Sequence, residues 1–246
     1  MTKRTTKRRW SALPGEIRLA LIGAGTALHG MYGPALPYLE GARLVAVMDP
    51  WQEARERAAA EYGVRAYKTL PALIRHARPH VAIVASPTFA HAEQVIRLAK
   101  AGVHVFCEKP MARHPAECDA MLAACEEAGV ALGVAFMKRF NRTMRAAGDL
   151  VKRGELGELF QVDCEWSFPA GHGPERYGHP HSDWRGWIEN LGGVFQDHGS
   201  HTIDLCRLWL GPVVSVSAQI LSVHPKLPVE DVAAVTCRHA GGGVST

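Results

Sequence analysis

Short apolar runs alternate with helix-length amphipathic stretches from Ile17 to Ala135, and this alternation constrains the fold most strongly. The apolar runs are predicted strands at Arg18–Ile22, Leu44–Met48, Ala66–Tyr67, Val81–Ala85, Val103–Cys107 and Ala131–Ala135. Good helix formers with helical spacing lie between them, at Gln52–Glu61, Leu70–Arg75, His91–Ala101 and Ala116–Ala128. Continuous apolar strands that alternate with helices belong to a parallel sheet covered on both faces. The sequence therefore predicts a doubly wound α/β domain with a parallel sheet over residues 16–138.

The pattern changes after about Arg139. Strand-like segments follow at Leu159–Phe168, Val213–Val223 and Val232–His239, with a predicted helix from about Gln196 to Leu210. No helix separates the last two strands, which favours an antiparallel or mixed arrangement. We therefore expect residues 139–246 to form an α+β domain with an open, mostly antiparallel sheet.

The end of the chain predicts that this sheet is incomplete. Ala240–Thr246 has the pattern of a hairpin turn with the return strand just begun. Three recognisable strands make a thin sheet, and its free edge is an association hazard. The chain is therefore expected to be truncated at its C-terminus, with the second domain only partly present.

Charge and cysteine usage exclude several classes of protein. The formal net charge of +4 comes from the first ten residues, which hold five lysines and arginines, so residues 1–15 are predicted to be a basic disordered tail. The remaining charges nearly balance, and no nucleic-acid surface is predicted. No apolar run approaches the ~20 residues that span a bilayer, so no membrane partner is expected. Six cysteines without a C-x-x-C pair indicate reduced thiols in a cytoplasmic protein.

A glycine turn follows the first predicted strand, in the run Gly23-Ala24-Gly25-Thr26-Ala27-Leu28. The two glycines let the turn tighten and let backbone N–H groups approach a pyrophosphate at a helix N-terminus. Leu28 stands where the dinucleotide fingerprint has its third glycine, which serves helix–strand packing. A lone G-x-G motif is weak evidence for nucleotide binding, because flexible turns also contain it.

Asp49 ends the second predicted strand, 26 positions after Gly23. A carboxylate at this place can accept hydrogen bonds from an adenosine ribose and would repel a 2′-phosphate, so it favours NAD. Arg55 and Arg57 keep NADP open, and Asp49-Pro50 as a simple turn is the structural alternative. Strand, glycine turn, helix and Asp49 in this order predict a dinucleotide site.

A lysine follows the predicted strand that ends at Cys107, in the run Glu108-Lys109-Pro110. Proline disfavours the helical conformation for the residue before it, so Lys109 is expected to be extended. Ligands of open α/β sheets bind outside the carboxyl ends of the strands, where this lysine would lie. The alternative is a solvated loop lysine beside a glutamate.

Acids and histidines are concentrated between Gly192 and Asp204. If the segment from Gln196 is helical, Asp197 and His201 stand at i and i+4 on one face. Such a pair suits acid–base work, because a carboxylate can orient and polarise an imidazole. Asp204 is expected either to orient the same ring or to form a structural pair.

A metal site is the competing interpretation of these histidines. His172, His179 and His181 precede the Asp197–His201 pair and could supplement it. The chain has no H-E-x-x-H motif and no cysteine pair, so the sequence predicts no metal.

Taken together, these motifs resemble the Gfo/Idh/MocA family, which includes glucose–fructose oxidoreductase, inositol dehydrogenase and rhizopine-catabolism proteins. The matching elements are Gly23-Ala24-Gly25, Asp49-Pro50, Ala85-Ser86-Pro87-Thr88 with His91, Ala101-Gly102-Val103-His104-Val105 with Glu108-Lys109-Pro110, Arg139-Phe140, Trp184-Arg185, Gly192-Gly193, and Asp197-x-x-x-His201 with Asp204. The likeness covers nearly the whole chain after the tail.

The resemblance implies a Rossmann domain, a substrate-binding and oligomerisation domain, and hydride transfer between NAD and a secondary alcohol or ketone of a sugar or polyol. It implies a catalytic set of Lys109, Asp197 and His201, in which His201 takes the hydroxyl proton and Lys109 binds the reacting oxygen. The cofactor-binding set it implies is Gly23, Gly25, Thr26, Ala27, Asp49, Ser86, Pro87, Thr88, His91, Glu108 and Lys109. Substrate binding is assigned to Arg139, Trp184, Arg185, Asp197 and His201.

Two other functions remain open within this resemblance, and departures from the family pattern bear on them. One is NAD-assisted glycoside hydrolysis, and the other is a regulatory protein that binds dinucleotide or sugar without turnover. Leu28 replaces a small residue, Tyr32 replaces a frequent histidine, and family members continue beyond Thr246. The partner expected from the resemblance is a small sugar or polyol, with homo-oligomers through the C-terminal sheet if that sheet is complete.

Overall fold

The computed structural model describes residues 15–167, 193–223 and 229–246. These residues divide into two compact units. The first comprises 15–86, 90–107 and 114–133, and the second comprises 87–89, 108–113 and the described residues from 134 onward. No helix in the described ranges combines the length and the apolar character needed to cross a membrane.

The first unit is built on a six-stranded sheet in the order β3-β2-β1-β4-β5-β6. Its strands are β1 Ile17–Ile22, β2 Ala42–Met48, β3 Arg65–Tyr67, β4 Val81–Val84, β5 His104–Cys107 and β6 Leu132–Val134. The pairings from β3 to β5 are all parallel. The chain moves outward from β1 to β3 and then returns to β4 on the other side of β1. This confirms the predicted doubly wound α/β architecture, with its switch point between β1 and β4.

Helices connect these strands close to the predicted places. They span Gln52–Tyr62, Leu70–Ala77, Thr88–Lys100 and Pro115–Glu127. Their ends follow ordinary capping chemistry. The Thr69 hydroxyl accepts from the Ala72 N–H at 3.4 Å, and Gly63 ends its helix in the left-handed conformation.

The helical segment after the glycine turn is irregular. It consists of a π-helical piece Leu28–Tyr32, a single turn Gly33–Ala35 and a 3₁₀ piece Leu36–Tyr38. Leu28 is fully buried in the cluster that contains Leu21 and Val47. The side chain that replaces the fingerprint's third glycine therefore contributes to the core.

The second unit contains a four-stranded sheet in the order β7-β10-β9-β8. Its strands are β7 Gln161–Val162, β8 Val213–Leu221, β9 Val232–His239 and β10 Val244–Ser245. The β8–β9 and β9–β10 pairs are antiparallel, and β7–β10 is parallel. The predicted mostly antiparallel sheet is therefore confirmed, with one parallel pairing at β7.

Helices of the second unit pack beside this sheet and carry the later motifs. Phe195–Gly199 is π-helical and leads into the α-helix Ser200–Leu210. The sequence analysis missed the helix Arg142–Lys152, which begins at Asn141, whose side chain accepts from the Thr143 N–H at 3.0 Å.

The predicted strand Leu159–Phe168 is too long. Only Gln161–Val162 pairs as a strand, and Phe160 is 75% exposed. In the described part of this segment the half-buried positions are Leu159, Val162 and Cys164, and the other positions are exposed. Phe168 lies outside the described residues.

Candidate functional site

The turn after β1 depends on glycine at position 23. Gly23 has a φ of +96°, and a Cβ there would lie 2.7 Å from the Ala85 carbonyl oxygen and 2.8 Å from the Ser86 nitrogen. Only glycine lets β1 turn this close to the chain that leaves β4. This residue therefore fixes the backbone at the switch point.

Nothing in the surrounding protein requires a glycine at position 25. Its φ lies outside the left-handed region, and a Cβ there would meet no atom within 4 Å. The open space beside it adjoins the start of the helical segment, where backbone N–H groups favour an anion. This cradle, which a side chain would fill, fits the pyrophosphate of a dinucleotide.

Asp49 ties the end of β2 to the glycine turn. One carboxylate oxygen accepts from the Ala24 N–H at 2.8 Å, and the other accepts from the Trp51 N–H at 2.8 Å. The residue is only 8% exposed. Each carboxylate oxygen has a second lone pair for a ribose hydroxyl, so the site fits the predicted ribose contact. Arg55, which kept NADP open, donates to the Pro50 carbonyl at 3.0 Å.

The other predicted cofactor residues of the first unit differ in exposure. Thr26 is exposed and Ala27 is half-buried at the start of the helical segment. His91 is 1% exposed, and its Nε2 donates to the Ser86 carbonyl at 2.8 Å. The Ser86 hydroxyl bonds the Gln94 side chain at 2.6 Å. His91 therefore supports the Ser86 loop from the interior.

In the second unit, Lys109 forms the central contact of the candidate catalytic set. Its Nζ donates to Asp197 Oδ1 at 2.5 Å and to the Asp197 carbonyl at 3.0 Å. The two side chains are only 15% and 11% exposed. The Lys109 N–H bonds the Glu108 carboxylate at 3.1 Å, and the Lys109–Pro110 peptide is cis. The structure thus brings together two residues that are 88 positions apart in the sequence. Of the other cofactor residues predicted in this unit, Pro87 is half-buried and Thr88 is buried.

His201 is a buried, neutral imidazole beside this pair. Burial and the positive charges of Lys109 and Lys138 lower its pKa to about 4. The Phe136 ring lies edge-on to it, with ring centroids 6.3 Å apart. Its Nδ1 is buried and has no hydrogen-bond partner in the described part of the chain. A buried polar atom without a partner is uncommon in native proteins, so this ring nitrogen is a candidate for a functional role.

Asp197 does not hold the His201 ring as the i, i+4 spacing suggested. Within the described ranges, no hydrogen bond joins the two side chains, and Asp197 Oδ1 bonds Lys109 instead. The segment Phe195–Gly199 is π-helical, so α-helical spacing does not apply between positions 197 and 201. Asp197 acts on His201 through its charge, which opposes the lowering of the pKa.

Asp204 forms a structural pair, the second of the two roles expected for it. Its carboxylate accepts from Arg139 Nε at 2.6 Å and from Arg139 Nη2 at 2.5 Å, and this pairing raises the arginine's pKa. Arg139, a predicted substrate residue, is therefore already engaged by a carboxylate. Trp184 and Arg185 lie outside the described residues.

The histidines that the metal alternative adds to Asp197 and His201 fall outside the described part of the chain. The described residues contain no group of three His, Cys, Asp or Glu side chains arranged to hold a metal ion. His172, His179 and His181 lie outside the described residues.

Two residues near the site were missed by the sequence analysis. Lys138 Nζ lies 4.3 Å from the centre of the Trp166 ring, and His198 Nε2 lies 3.5 Å from Asp197 Oδ2. The adjacency of Lys138 to Arg139 was the available signal for the first. The adjacency of His198 to Asp197 was the available signal for the second.

Comparisons with known proteins agree with this architecture. A family model described as "Oxidoreductase family, NAD-binding Rossmann fold" matches residues 17–136, and the "GFO/IDH/MocA C-terminal domain" matches 144–246. The chain is 31% identical to inositol 2-dehydrogenase of Rhizobium meliloti over 82% of this chain and 58% of that protein. It is 28% identical to 4-carboxy-2-hydroxymuconate-6-semialdehyde dehydrogenase of Sphingobium, over 94% of this chain and 70% of that one.

Solved structures of dehydrogenases match the chain as well. The WlbA dehydrogenase of Bordetella pertussis, crystallised with NADH and UDP-GlcNAcA, superposes with a TM-score of 0.84 at 31% identity. The match covers 94% of this chain and 69% of that one. The chain spans between about half and 70% of the length of curated relatives such as these. It belongs to the Gfo/Idh/MocA oxidoreductase family, and residues 17–136 are its NAD-binding Rossmann domain.

Proposed function

We propose that this protein is an NAD-dependent dehydrogenase that acts on a secondary alcohol, or the corresponding ketone, of a sugar, polyol or close derivative. The observation that carries the proposal is the buried Lys109–Asp197 pair with the neutral His201 imidazole near it. The names of the relatives support it, since one is an inositol dehydrogenase and another was crystallised with NADH and a sugar nucleotide.

The roles of the side chains follow from their charge. Bound NAD supplies the hydride acceptor. His201, neutral above about pH 4, takes the proton that the substrate hydroxyl loses. The Lys109 ammonium donates a hydrogen bond to the reacting oxygen and stabilises the negative charge that develops there. Asp197 holds Lys109 in place through two bonds, one from its carboxylate and one from its carbonyl.

Cofactor binding is assigned to the glycine turn and Asp49. Gly25 leaves room for the pyrophosphate, and Asp49 accepts from the adenosine ribose. A titration with NADH and with NADPH, followed by nicotinamide fluorescence, is expected to show saturable binding that favours NADH. A screen of cyclitols, aldoses and sugar acids with NAD should then yield NADH. No hydride transfer with any of them would overturn the proposed activity, and a preference for NADPH would overturn the role of Asp49.

The pH dependence of kcat/KM tests the protonation state of His201. A general base must be unprotonated, and kcat/KM follows the pKa of the free enzyme. Because that pKa is about 4, His201 should not reduce kcat/KM between pH 7.5 and about 5.5, whereas an ordinary histidine with a pKa near 6.5 would. Lys138→Met should move the acid limb to higher pH, because it removes a positive charge that lowers the pKa. Lys152→Met, at an exposed helix end, is the matched control. An acid limb near pH 6.5 in the wild type would contradict the assignment.

Assembly and compartment are proposed on separate grounds. The residues of β8 after Val213 are all exposed, including Val214, Val216, Ile220 and Leu221, which supports a homo-oligomer through this sheet. Sedimentation velocity that shows only a monomer would argue against it. All six cysteines are free thiols, which supports the cytoplasm as the compartment.

A further inference from the structure

Two ion pairs lie near His201, and among the described residues neither of them includes Lys138. Lys109 is paired with Asp197, and Arg139 is paired with Asp204. Lys138 has no carboxylate partner within the part of the chain that the structure describes. Lys109 and Lys138 both lower the pKa of His201, and Asp197 opposes them.

The position of Lys138 is fixed by its neighbours in the chain. It lies on the short helix Met137–Phe140. Phe136, just before this helix, places its ring against the His201 ring, and Arg139 binds Asp204 on the helix Ser200–Leu210 through two hydrogen bonds. Both flanking contacts therefore reach the helix that carries His201.

The Lys138 head group rests on an aromatic surface. Its Nζ lies 4.3 Å from the centre of the Trp166 ring. A cation–π contact holds an ammonium group in place without neutralising its charge. Glu108, another carboxylate of this unit, bonds the Lys109 N–H at 3.1 Å and is not among the charges that act on His201.

A cation that is held in place near His201, with no carboxylate partner among residues 15–167, 193–223 and 229–246, discriminates among substrates. A neutral polyol could not form an ion pair with Lys138, whereas a substrate carboxylate would accept a charge-assisted hydrogen bond from its ammonium group. The geometry points to Lys138 as the recognition residue for a substrate carboxylate, and the substrate class is therefore a sugar acid or polyol acid. This inference rests on the proposed dehydrogenase function and narrows its substrate.

Matched probes that differ in one group test the inference. D-galactose and D-galacturonate share their ring hydroxyls, as do D-glucose and D-glucuronate, and only the acids carry a carboxylate. We expect kcat/KM with NAD, and affinity for the NADH complex by calorimetry, to favour the acid of each pair by at least about tenfold, the usual effect of a hydrogen bond to a charged group. Lys138→Met should bring this ratio close to one, Lys138→Arg should retain most of it, and Lys152→Met should leave it unchanged.

The outcomes separate this inference from the function on which it rests. Oxidation of the neutral sugars as readily as the acids, or an unchanged ratio in Lys138→Met, would overturn the carboxylate subsite and leave the dehydrogenase proposal intact. Hydride transfer with none of the probes would count against the dehydrogenase, while calorimetry would still decide on the subsite. If the acids bind no more tightly than the neutral sugars, the carboxylate subsite is overturned. If Lys138→Met does not fold, the wild-type acid preference must fall with added salt, since charge pairs are screened.

Discussion

Lys109→Met is expected to lower turnover by at least about two to three orders of magnitude, with NADH binding largely retained. Removing a donor that stabilises a developing oxyanion typically costs this much. Lys109 Nζ is the donor held by Asp197, at 2.5 Å from Oδ1 and 3.0 Å from the carbonyl oxygen. Single-turnover hydride transfer and NADH fluorescence titration, on the same preparation, measure the two effects separately.

The same substitution also affects stability, and a control must remove that effect. Taking away one partner of a buried ion pair costs about 3–5 kcal/mol, because the remaining charge loses its compensation. The double variant Lys109→Met with Asp197→Asn removes both charges and should recover much of the free energy of unfolding without recovering turnover. Lys100→Met, at an exposed helix end, should be neutral in both measurements. Turnover within about tenfold of wild type would remove Lys109 from the mechanism and favour a regulatory protein that binds dinucleotide without chemistry.

The first unit could be predicted well from sequence because its signals are local. Its buried parallel strands are continuous apolar runs, so β1 and β4 were placed to within one residue of their ends. Glycine at position 23 and an acid at position 49 mark the strand ends directly. What could not be predicted was the burial of Leu28 in the core, which depends on packing between distant residues.

The second unit was harder because its decisive contacts are long-range. The hydrogen bond from Lys109 to Asp197 joins residues 88 apart, and spacing suggested His201 as the partner of that carboxylate instead. The π-helical winding of Phe195–Gly199 breaks the α-helical register on which that expectation depended. Arg139 was assigned to substrate by resemblance, although its guanidinium is bound by Asp204. The pairing of these side chains could therefore not be predicted from the sequence.

Alanine at the two glycines of the turn should have opposite effects. Gly23→Ala is expected to destabilise the fold by about 2 kcal/mol or more, because a positive φ and a Cβ contact of 2.7 Å with the Ala85 carbonyl both oppose it. Gly25→Ala places its methyl group in open space, so the free energy of unfolding should stay within about 0.5 kcal/mol of wild type. The measurement is thermal or urea unfolding without cofactor.

NADH affinity should show the complementary pattern, since the methyl group at position 25 would occupy the space assigned to the pyrophosphate. We expect Gly25→Ala to weaken NADH binding by at least about tenfold, because the backbone could no longer approach the phosphates closely. Gly30→Ala is a matched control in the same helical segment, since its Cβ would also meet no atom and its φ is unstrained. It should change neither stability nor affinity. If Gly25→Ala binds NADH as the wild type does, the pyrophosphate does not lie at this turn, and the NAD-binding mode proposed for residues 23–27 is wrong.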